Sequence, residues 1–149
     1  MCLAMTTAAR RMLPLIAVLA VAGMAVSSVS LYHHYGSSKT TYCDFGESFN
    51  CDIVNRSTYS TVFGIPDALI GIFGYAALFA LATLYRSKAE TPTMLLIASL
   101  AGLGFALYLT YIEAFVLATW CILCLSSLTL IFLIAVLSSA VTASSMRRA

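Results

Sequence analysis

Thr119-Trp120-Cys121-Ile122-Leu123-Cys124 opens the last apolar run of the chain, residues 119–141. Its two cysteines are three positions apart, so a helix beginning here would carry them on one face. At a rise of roughly 1.5 Å per residue their Cα atoms would lie about 5 Å apart. That is inside the disulfide range of about 4.4–6.8 Å. Thr119 is the expected N-cap. The positive end of the helix dipole would then favour a thiolate at Cys121. The pair can open and close, and its location decides what it trades electrons with.

The run it heads is one of several. Of 149 residues, 61% are hydrophobic and only 9% charged, against about 25% charged in a soluble domain. Such a chain cannot clothe a water-facing surface, so the expected class is an all-α integral membrane protein. The net charge of +2 is small, and no basic, aromatic-interleaved stretch suggests a nucleic-acid partner. Working back from the last run, residues 93–116 form a third span, with Ala98, Gly102 and Ala106 spaced by four for close helix packing. Residues 86–92 are a short turn. Residues 66–85 form a second span, with Pro66 suited to the first helical position and Asp67 to the first-turn dipole. Residues 12–35 form the first span, ending in the interfacial cluster Tyr32, His33, His34 and Tyr35. A signal peptide is the rival for that segment, but the run reaches spanning length and is read as a retained helix. Between the first two spans lies a polar loop, residues 36–65. It is long for a connector, and long ordered loops tend to be functional.

Four spans put both termini on one side. Arg10, Arg11, Arg86, Lys88, Arg147 and Arg148 fall on that side, and Lys39 and Arg56 on the other. The positive-inside rule makes the first side cytoplasmic. Cys43, Cys51, Cys121 and Cys124 then gather on the oxidising, extracytoplasmic face, with Cys2 alone on the reducing one.

Four outward cysteines admit three readings. Two static disulfides could staple the loop. Four thiolates could bind zinc, although the seven residues between Cys43 and Cys51 exceed the usual two to four. Two redox-active pairs could exchange electrons. A staple at a helix head has little loop to constrain, and helix N-termini are where exchangeable, low-pKa thiols occur. The redox reading is therefore preferred. No dinucleotide fingerprint, haem motif or charged cofactor cradle is present. A lipid-soluble quinone fits an acceptor site above an apolar bundle, reached by thiol–disulfide exchange. The rival from another class is a non-enzymatic membrane scaffold with stapled loops.

The segment from Cys51 to Pro66, CDIVNRSTYSTVFGIP, together with Tyr108 to Cys124, YLTYIEAFVLATWCILC, resembles the vitamin K epoxide reductase family, in particular its bacterial and archaeal members. The resemblance runs from about residue 12 to 140. It implies a four-helix bundle holding a quinone of ubiquinone, menaquinone or vitamin K type near the outer surface of a prokaryotic inner membrane. Cys124 matches the cysteine beside the quinone, Cys121 the one that exchanges with the loop, Cys51 its loop partner, and Cys43 the cysteine that meets the outside donor. Ser57 matches a family serine near the active site. The implied donor is a thioredoxin-like protein. Some relatives carry that domain fused at the C-terminus, and this chain is expected to use a separate one and to support disulfide-bond formation. Leu128 stands where the vertebrate enzymes place a tyrosine linked to vitamin K binding, a departure that tells against epoxide reduction; a vitamin K quinone or epoxide reductase is the alternative activity.

Tyr59, Phe63 and Trp120 are candidate walls for a quinone ring, with aromatic-belt residues as the plain alternative. Glu113 falls at the depth of Cys121 and is expected to be a solvated interfacial carboxylate. A part in proton supply is the other reading. His33 and His34 are expected at the interface, and Asp67 as a dipole partner. Asn55-Arg56-Ser57 matches a glycosylation acceptor pattern, of use only in a host with that machinery.

Overall fold

The computed structural model describes residues 7–36, 41–44 and 46–147. Cys2, Lys39 and Arg148, which figure in the sidedness expectation, lie outside the described residues. Helix α1 runs Thr7–Tyr35, α3 Asp67–Thr83, α4 Thr91–Ile112 and α5 Ile122–Met146, with the short helix α2, Cys51–Asn55, in the loop. Helix α1 starts five residues earlier than expected and carries Pro14 in its interior. Pro66 is the N-cap of α3 rather than its first residue, and Asp67 occupies the first turn as expected.

Helix α1, the stretch Thr91–Leu117 and α5 are long and apolar enough to cross a membrane. Helix α3 has 17 residues. That is about 25 Å at 1.5 Å per residue, short of a hydrocarbon core of about 30 Å.

The core is a seam of aliphatic side chains. Leu13, Ile16 and Ala20 of α1 meet Tyr75 and Leu78 of α3, Leu95 of α4 and Ile131 and Ile134 of α5. Helix α1 is thus packed into the bundle. At Gly23 α1 packs tightly on α3: a Cβ there would lie 2.3 Å from the Tyr75 ring. Gly102 plays the same part for α4, with Ile131 of α5 at 3.1 Å from its would-be Cβ, so the small-residue stripe does receive a neighbouring helix. Of the four pairs of adjacent helices, α3 and α4 are the most loosely packed.

At one end of the bundle the loop is folded down. Asn50 caps α2 by accepting the Ile53 N–H at 3.1 Å. The strands β1, Thr61–Val62, and β2, Ile65–Pro66, pair antiparallel around Phe63-Gly64. Both turn residues have positive φ, 54° and 80°, as a two-residue hairpin requires. The loop is pinned to α1: Ser30 Oγ donates to Asn55 Oδ1 at 2.6 Å, and Arg56 donates to the carbonyls of His33 and Gly36.

Candidate active site

The approach to Cys121 is not helical. Helix α4 passes into a π-turn, Glu113–Leu117, that ends on Ala118 at φ 51°. Trp120 then runs alongside the loop: its N–H donates to the Ser48 carbonyl at 2.9 Å, and its own carbonyl accepts the Asn50 N–H at 3.1 Å. Cys121 is extended, at φ −114° and ψ 120°, and is itself the N-cap residue of α5. The expectation that Thr119 caps this helix is therefore corrected. Its hydroxyl donates to the Leu117 carbonyl instead, because pairing with the loop holds residues 119–121 straight. Cys124, one turn into α5, still shares the helix head with Cys121.

This clamp gathers the sulfurs. Cys43 and Cys51 are disulfide-bonded, and Cys121 and Cys124 are free thiols. The sulfurs of Cys43, Cys51 and Cys121 all lie within 4.8 Å of one another. Cys121 is buried under the loop, and the Asn55 amide donates towards its sulfur at 3.9 Å. A hydrogen bond with the Cys124 thiol draws the Cys121 thiol below its ordinary pKa, against the opposing effect of burial. The disulfide occupies two of the three clustered sulfurs, so they cannot serve as the thiolates a zinc site needs.

Cys124 faces the other way. With Leu123, Ser127 and Ile131 it lines a cavity of about 370 Å³ inside the bundle, walled also by Ser27 and Ser30 of α1, Gly74 and Tyr75 of α3 and Phe105 of α4. The lining is almost wholly apolar, with a few hydroxyls and Asp67 at its edge. The Tyr75 hydroxyl is held by Ser127, 2.8 Å from its carbonyl and 2.9 Å from its hydroxyl. The size and the sparse polar groups suit an apolar ring ligand.

Of the residues the sequence proposed around a quinone, Cys124 alone lines this cavity. Ser57 and Tyr59 border a separate recess of about 10 Å³ that Glu113 also borders. The Ser57 hydroxyl donates to the Val54 carbonyl at 2.8 Å. Phe63 projects from the hairpin tip, fully exposed. Trp120 is half-buried and pairs with the loop through its backbone.

Two other expectations change. Glu113 is not solvated: it is 1% exposed, and its Oε2 accepts the Cys121 N–H at 3.1 Å. Its backbone is still helical, at φ −57° and ψ −45° with its N–H on the Leu109 carbonyl, and the non-helical segment that follows brings the Cys121 N–H onto its carboxylate. His33 is buried too, with Nε2 2.5 Å from the Tyr42 hydroxyl and Nδ1 3.7 Å from Asp52. Asn55 is 2% exposed, closed to the glycosylation that its pattern suggests. Its structural role, taking the Ser30 hydroxyl and facing Cys121, has no local signal in the sequence. Neither have Tyr75 and Ser127, which read as ordinary members of apolar spans.

A helical membrane protein with a disulfide poised over a free dithiol, and that dithiol over an apolar cavity, is of the membrane thiol oxidoreductase class. The chain belongs to the vitamin K epoxide reductase family, whose model matches residues 14–139. Members of that family are membrane oxidoreductases associated with quinone and vitamin K substrates. No curated protein matches the chain significantly.

Proposed function

We propose that the protein is a quinone-dependent thiol oxidoreductase that supports disulfide-bond formation outside the cytoplasm. The observation that carries this reading is the sulfur cluster of Cys43, Cys51 and Cys121 within 4.8 Å, continued by Cys124 on the wall of the apolar cavity. A thioredoxin-like protein reduces the Cys43–Cys51 disulfide. Cys51 thiolate then attacks Cys121 in its disulfide with Cys124, releasing Cys124. Cys43 attacks Cys51, releasing Cys121 and restoring the loop disulfide. The state seen here, with the loop oxidised and the helix head reduced, is the one that follows this exchange. A quinone bound in the cavity takes two electrons and two protons from the dithiol. Helix α3 is the fourth span, both termini are cytoplasmic, and the loop with its thiols is extracytoplasmic.

The test is quinone reduction by the purified protein in detergent, with a reduced thioredoxin-like protein as donor and ubiquinone and menaquinone analogues as acceptors. Turnover is expected, and Cys121→Ala and Cys124→Ala each abolish it. Full turnover in Cys124→Ala would overturn the assignment. Cys124→Ala that leaves the protein's cellular function intact would point to a stapled scaffold.

A further inference from the structure

The Glu113 side chain is the one buried carboxylate among the described residues, and it stands between the α5 head and a recess under the loop. One oxygen, Oε2, accepts the Cys121 N–H. The other, Oε1, has no hydrogen-bond partner among the described residues. The Cys124 thiol is near enough to interact with the carboxyl group. On its far side Glu113 borders the recess shared with Ser57 and Tyr59 of the loop. The recess, about 10 Å³, approaches the roughly 10–15 Å³ that one water molecule needs.

A structural carboxylate buried at this cost would normally have both oxygens bonded. Here one is bonded to the backbone and the other is left over beside a redox thiol. Glu113 opens the π-turn that leads to Cys121, and such turns are frequent at functional sites.

We infer that Glu113 is the proton carrier of the Cys121–Cys124 pair, taking the thiol proton of Cys124 as the dithiol is oxidised and exchanging protons with the loop through the recess. This deepens the proposed function and rests on it for the identity of the oxidant, a quinone. In the balanced step, two S–H bonds break and one S–S bond forms between Cys121 and Cys124. Two electrons pass to the quinone with two protons, the Cys124 proton travelling by way of the Glu113 carboxylate. In the reverse half, reduction of the Cys121–Cys124 disulfide by the loop dithiol returns a proton to Cys124 by the same carboxyl group. The ionisable groups facing Glu113 are Cys121 and Cys124 of the α5 head, Asp67 of α3 and Tyr59 of the loop.

The test does not require the quinone. Infrared difference spectra are taken on quinone-free protein in detergent as a soluble dithiol reduces the Cys121–Cys124 disulfide. A carboxylic acid C=O band that is lost or shifts on reduction is expected. It should be absent in Glu113→Gln and present, displaced, in Glu113→Asp. Isotope-labelled glutamate should shift it in the otherwise unaltered protein, which holds the test open if Glu113→Gln does not fold; the remaining glutamates, Glu47 and Glu90, are exposed. Quinone turnover in Glu113→Gln should fall about a hundredfold, the lower end for loss of a positioned acid–base group, while Cys51–Cys121 mixed disulfide, trapped at equilibrium, reaches its usual yield, though more slowly. No glutamate band in the reduction spectrum, or wild-type turnover in Glu113→Gln at every pH, would overturn the inference. An unaltered protein that shows the band but reduces no quinone would overturn the acceptor and leave the proton carrier standing.

Discussion

Cys121 occupies a position where backbone and side chain work together. Its carbonyl accepts the first α5 hydrogen bond, from Leu125 N–H at 3.0 Å, so the sulfur stands just outside the helix at the positive end of its dipole. The Cys124 thiol adds a direct hydrogen bond, the largest influence lowering the Cys121 pKa. A thiol with a lowered pKa stays ionised to lower pH than a free cysteine, whose pKa is about 8.5. Exchange at Cys121 should therefore persist below that pH and decline only as pH falls through the lowered value. Cys124→Ala removes the hydrogen bond and should move the titration midpoint of Cys121 upward, read by NMR on carbon-labelled cysteine in micelles. An unmoved midpoint would show that the partner thiol contributes nothing. The spacing of the two cysteines was legible because i and i+3 meet whether the first residue lies in the helix or caps it. That Cys121 is extended was not, because Ser48 and Asn50 impose it from some seventy positions away. The burial of Glu113 was hidden in the same way, because the Cys121 N–H reaches its carboxylate through a π-turn that no local pattern announces.

Helices are the scale at which the sequence spoke most clearly. A bilayer leaves backbone groups no partner but their own helix, so an apolar run of spanning length is a helix. Which faces meet is a different matter. Val18, Ile97 and Phe132 are exposed and as apolar as the buried seam, since lipid-facing and core-facing surfaces have the same character. Hydrophobic periodicity therefore carries little orientation, and small residues carry more. The Ala98, Gly102 and Ala106 stripe gave away the α4–α5 contact. Gly23 sets the tighter one. Its would-be Cβ falls 2.3–2.5 Å from three Tyr75 ring atoms, and that ring is tethered through its hydroxyl to Ser127. Gly23→Ala should therefore force α1 and α3 apart or break the tether, at about 1–3 kcal/mol. A lowered thermal midpoint in detergent is the expected result. A wild-type midpoint would mean that the α1–α3 contact yields more easily than the tethered ring implies.

For the molecule as a whole, the arrangement separates two half-reactions across a single helix head. Cys121 belongs to a compartment closed by the loop disulfide and Val54, and Cys124 to an apolar cavity inside the bundle. The least packed side of that bundle is between α3 and α4, which gives a lipid-soluble ligand a lateral way in. Filling the apolar compartment should then disable one half-reaction and spare the other. Gly74 is suited to this: it lines the cavity, and a Cβ added there meets nothing within 4 Å. A leucine should occupy cavity space rather than displace a helix. Gly74→Leu should raise the KM for a quinone analogue at least tenfold, equivalent to about 1.4 kcal/mol of lost binding. Disulfide exchange between the loop and Cys121, followed by trapping of free thiols, should proceed at the wild-type rate. Unchanged quinone kinetics would place the acceptor outside this cavity. Loss of exchange as well would mean that the two compartments are mechanically one, with the loop seated correctly only when the bundle beneath it is undisturbed.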